Sequence, residues 1–90
     1  SLNDQEDELS DDEKYHVALL SRGDTPSPSA LAKKIASGQG GLSSLRRVAS
    51  RISQNTNIDL PEDGDDDAKT ITGLASFLDK ASYASKNKKW

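Results

Sequence analysis

Large core-forming side chains are scarce in this sequence. Leu, Ile, Val and Phe together supply 17 of 90 residues, just under the rough 20% mark below which a charged chain tends to stay disordered. Ordering each residue costs about 1.5 kcal/mol, and burying one large apolar side chain returns about 1.5–3 kcal/mol. A chain of this length buries only about 60% of its unfolded surface, so it has room for one small domain at most. The sequence contains no Cys and a single His. Neither a disulfide nor a zinc staple is therefore at hand to make up the difference. The fold expected on these grounds is mostly α: about four short helices joined by Gly, Pro and acidic breaks, extended or loosely packed, and ordered largely by contact with partners. An independent three- or four-helix bundle is the competing reading.

Charge runs in blocks. Residues 4–13 carry seven acids and no base, residues 25–58 carry five bases and no acid, and residues 59–67 carry six acids. Lys86, Lys88 and Lys89 then make a basic tail that ends in Trp90. The net charge of −3 conceals this alternation. Such blocks attract complementary surfaces, although solvated faces and helix ends produce the same pattern.

The punctuation divides the chain into five stretches. Residues 1–23 are an acidic N-terminal segment with a short helix. Ser10-Asp11-Asp12-Glu13 reads as a capping box that opens it, with acids at the positive end of the helix dipole. Tyr15, Ala18, Leu19 and Arg22 are expected on one face, and Gly23 as the left-handed cap. Residues 24–41 hold a second helix, opened by Ser27-Pro28 and closed by Gly38, with Leu31 and Ile35 on one stripe. A Gln39-Gly40-Gly41 hinge follows. Residues 42–57 form a basic amphipathic helix, centred on about 43–54. Leu42, Leu45, Val48, Ala49 and Ile52 fall on one side and Arg46, Arg47 and Arg51 on the other. Residues 58–67 are an acidic loop, extended where Leu60 precedes Pro61. Residues 68–90 carry the last amphipathic helix, capped by Asp66 or Asp67, with Ile71, Leu74, Ala75, Leu78, Ala81 and Ser82 as its stripe and Phe77, Ala81 and Ala84 widening it. Gly73 weakens that helix by about 1 kcal/mol relative to Ala.

Little in these motifs points to chemistry. A nucleophile needs a base held against it, and the spacing sets no Ser beside His16. Paired carboxylates need a cleft that raises one pKa, which so polar a short chain does not promise. The run from Asp59 faintly resembles a calcium loop, with Asp63 and Gly64 at positions five and six. Pro61 and Thr70 nevertheless stand where ligands are required. No catalytic, cofactor or metal residue is expected, and the chain is expected not to be an enzyme. Thr25-Pro26, Ser27-Pro28 and Arg47-Val48-Ala49-Ser50 fit loose kinase patterns; a phosphate on Ser50 would disrupt the cationic face.

The expected role is that of an interaction segment whose helices dock in grooves of larger partners. Partner contact is assigned to Leu42, Leu45, Val48, Ile52, Ile71, Leu74, Phe77 and Leu78, and electrostatic steering to Arg46, Arg47 and Arg51. The expected partner is a large assembly such as a capsid, with the chain as an internal or accessory component of a viral or phage particle. The absence of Met and the start at Ser1 fit a piece cut from a precursor. Two alternatives stand beside it: a small acidic regulatory binder of the antitoxin or anti-factor kind, and a membrane-active peptide built on the basic helix. Nucleic acid is a weaker partner, because phosphate contacts by three to five bases are opposed by the flanking acids. No basic-flanked apolar leader and no run near the roughly 20 apolar residues of a membrane span is present. Virion or cytoplasm is the expected location, and the absent Cys suits a reducing compartment.

Overall fold

A computed structural model describes residues 8–87. It contains four helices: α1 (Asp11–Arg22), α2 (Pro28–Ser37), α3 (Gly41–Thr56) and α4 (Asp67–Lys86). Among the described residues there is no strand. The acidic residues Asp4, Glu6 and Asp7, and the tail of Lys88, Lys89 and Trp90, lie outside the described residues.

The ends of the helices follow local chemistry. Ser10 Oγ accepts from the Glu13 N–H at 3.1 Å, and Glu13 Oε1 accepts from the Ser10 N–H at 3.0 Å. These bonds satisfy donors that the first turn of α1 would otherwise leave open. Gly23 ends α1 in the left-handed region at φ 68° and donates to Leu19 and Leu20 carbonyls. Ser27 caps α2 through the Ala30 N–H, with Pro28 at the first helical position. Asp66, rather than Asp67, caps α4 by accepting from Lys69 N–H at 2.8 Å. The third helix runs longer than its apolar period indicates. It continues through Gln54, Asn55 and Thr56 and stops at Asn57, which adopts φ 59°. Asn tolerates that conformation better than most residues. Thr56 Oγ1 secures the exit by donating to the Ile52 carbonyl and accepting from the Ile58 N–H.

The extended or loosely packed arrangement is not what forms. Helix α1 packs on α3 and α4, α2 packs on α3 and α4, and α3 packs on α4. The radius of gyration is 12.4 Å, against about 12 Å for a compact chain of this size. The helices order against one another, so partner contact is not needed to account for their arrangement. The physical reason lies in residues that a census of large side chains omits. Ala32, Ala49, Ala75 and Ala81 are all buried between helices. Alanine orders at no side-chain entropy cost and lets helix axes approach closely. Large side chains are thereby concentrated at the centre: Leu20, Leu45, Val48, Ile52 and Leu78 are almost wholly buried. Leu9, ahead of α1, is drawn into the same core.

The buried face of α1 also differs from expectation. Glu13, Val17 and Leu20 point inward, a spacing of one helical face. Tyr15, by contrast, is 61% exposed and Arg22 is exposed. In α2 the inward residues are Pro28, Ala32 and Ile35, with Leu31 half-buried at the rim. In α4 the stripe holds except at its edges, where Ile71 is half-buried and Ala84 is exposed.

Candidate functional site

The eight residues assigned to partner contact lie in the protein's own interior. Leu45, Val48, Ile52, Leu74, Phe77 and Leu78 belong to the buried core, and Leu42 and Ile71 are half-buried against it. In the folded chain these stripes pack against one another. An apolar stripe is removed from water equally well by a neighbouring helix of the same chain. None of these side chains is offered whole to a second molecule.

The arginines divide. Arg46 Nη1 binds Asp63 Oδ1 at 2.7 Å, which ties the acidic loop to α3 at the surface. Arg47 turns inward to Glu13. Arg51 is half-buried on α3.

Among the described residues, the most elaborate polar constellation is built around Glu13. Its position, three residues after the cap, sets it on the inner side of α1 facing α3. There the carboxylate receives Ser10 N–H from its own helix start, Ser44 Oγ at 2.7 Å, and Arg47 Nε and Nη2 at 3.1 and 2.8 Å. The Glu13 side chain is only 7% exposed, whereas that of Arg47 is 41% exposed. The bonds from Arg47 hold the Glu13 carboxyl at about 2, down from its ordinary 4.5, against the opposing effect of burial. The same pairing raises Arg47. At neutral pH this is a buried anion whose acceptor capacity is filled by its own chain. A general base needs the reverse: a pKa raised toward working pH and a lone pair free for a substrate. The arrangement is suited to clamping α1 on α3.

Beside the clamp lies an open groove between the start of α1 and the α2–α3 turn. Leu9 and Ile35 lie at its apolar parts, and Asp12, His16, Lys34 and Gln39 at its polar ones. The His16 ring is tilted against Tyr15, with centroids 5.9 Å apart. The turn depends on Gly41, whose φ of 59° is in the left-handed region that glycine adopts without steric cost.

The acidic loop is tied down by the same protein. Asp63 pairs with Arg46, Asp65 approaches Lys69 at 3.3 Å, and Asp66 caps α4. The Gly64 N–H donates to Thr70 Oγ1 at 3.0 Å. These acids therefore turn outward to separate partners instead of converging on one point. Among the described residues no group of three or more His, Asp or Glu is placed to hold a metal. Among the same residues no helix is long and apolar enough to cross a membrane.

Of the kinase-like patterns, Ser50 is half-buried on α3, and Ser27 and Pro28 are taken up by the cap and first turn of α2. The Glu13 cluster is the feature that sequence reasoning missed. The capping box announced its local half, but the link to Arg47, 34 residues away, carries no local signal. No protein-family model, no curated protein and no solved structure matches the chain.

Proposed function

We propose that this chain is a non-catalytic interaction module that docks on a larger assembly as a folded unit. One observation carries the reading: the buried ionisable group of the Glu13 cluster is saturated by Ser10, Ser44 and Arg47. The chemistry left to the molecule is that of its surface. Tyr15 and Tyr83 are exposed on α1 and α4, and Leu60 is partly exposed on the acidic loop. Tyrosine supplies apolar contact area with a polar tip and is enriched at interfaces. Docking through such residues, with the exposed Lys33 and Lys34 of α2 steering by charge, replaces docking through the apolar stripes. The assembly this reading favours is a viral or phage particle, with the chain as an internal or accessory component.

A second reading is favoured by the acidic loop. Residues 59–66 are all exposed, and a pre-folded acidic surface suits a regulator that covers one basic target. Membrane action through α3 finds less support, because its apolar face is buried in the core.

Paired variants test the proposal. Tyr15→Ala with Tyr83→Ala should leave the thermal melt near wild type and reduce co-sedimentation with particles by at least tenfold. A fixed stoichiometry with particles supports the structural role; a one-to-one complex with a soluble basic protein supports the regulator. If binding instead strengthens when Leu45→Ala destabilises the fold, the stripes are the docking surface and the folded-module reading is wrong.

A further inference from the structure

We draw no further inference here: the strongest candidate, the open groove between the start of α1 and the α2–α3 turn, where α3 begins without a side-chain cap beside Lys34 and Arg47, rests on a helix N-terminus with nothing else that points to a ligand, and its Arg47 is already committed to Glu13.

Discussion

Replacing Glu13 with Gln tests the clamp between α1 and α3 most directly. Gln keeps the shape and one carbonyl acceptor but removes the charge that Arg47 and Ser44 address. The Glu13 carboxyl is held at about 2, against an ordinary 4.5. At roughly 1.4 kcal/mol per pKa unit, that difference corresponds to about 3 kcal/mol favouring the ionised form in the folded state. Arg47 is 41% exposed, so water screens part of the attraction and about 2–3 kcal/mol is the working value. The sign follows from the depressed folded pKa. The contribution is complete above the unfolded value near 4.5 and drains away as pH falls toward 2. In a domain of this size each kcal/mol moves Tm by about 4–8 °C. Glu13→Gln should therefore lower Tm at pH 7 by roughly 10–20 °C. A thermal melt at pH 7 would measure that shift, and urea titrations followed by far-UV circular dichroism at pH 7, 5, 3.5 and 2.5 the free-energy gap. Wild type and variant should differ fully at pH 7 and 5 and converge below. A gap under about 1 kcal/mol at pH 7, the net worth of an ordinary hydrogen bond, would refute the reasoning. So would a gap that stays constant from pH 5 to 2.5.

Other consequences are open to similar measurement. The isolated chain should show a cooperative helical melt and dispersed amide resonances in dilute buffer; a non-cooperative melt would contradict the packed core. Leu45→Ala, at a fully buried position, should cost about 2–5 kcal/mol in denaturant titration. Gly23→Ala meets both a φ of 68° and a Cβ position 2.6 Å from Lys86 Cβ. It should therefore destabilise by more than the 1 kcal/mol typical of a left-handed position alone. Ser21 Oγ is buried without a hydrogen-bond partner. Ser21→Ala should raise stability by about 0.5–1 kcal/mol, through relief of that hydroxyl and better helix propensity.

The helices were legible because their ends are written in nearest-neighbour chemistry. Ser10 with Glu13, Gly23, Ser27 with Pro28, and Asp66 each act within a few residues of themselves. The face of α3 was legible because Leu45, Val48, Ala49 and Ile52 keep one period. The face of α1 was not, because Glu13 occupies an inward position that a polar residue does not advertise. Glu13 belongs inside only because Arg47 and Ser44 meet it there. Packing was the larger omission. Ala32, Ala49, Ala75 and Ala81 add little apolar area each, so a count of Leu, Ile, Val and Phe undervalues them. Their contribution is proximity, which appears only when two helices are set side by side. The stripe residues expected to meet a partner suffered from the converse ambiguity: a stripe shows that something covers it and is silent about whether that something is the same molecule.

The seat of Gly23 against the last turn of α4 bears on how the molecule is made. A ribosome releases the first helix long before Lys86 leaves its exit tunnel. The contact between α1 and α4 therefore waits until α4 has been synthesised. Until then α1 can rest on α3 but lacks its second neighbour, so an early-made helix is fully enclosed only once α4 is in place.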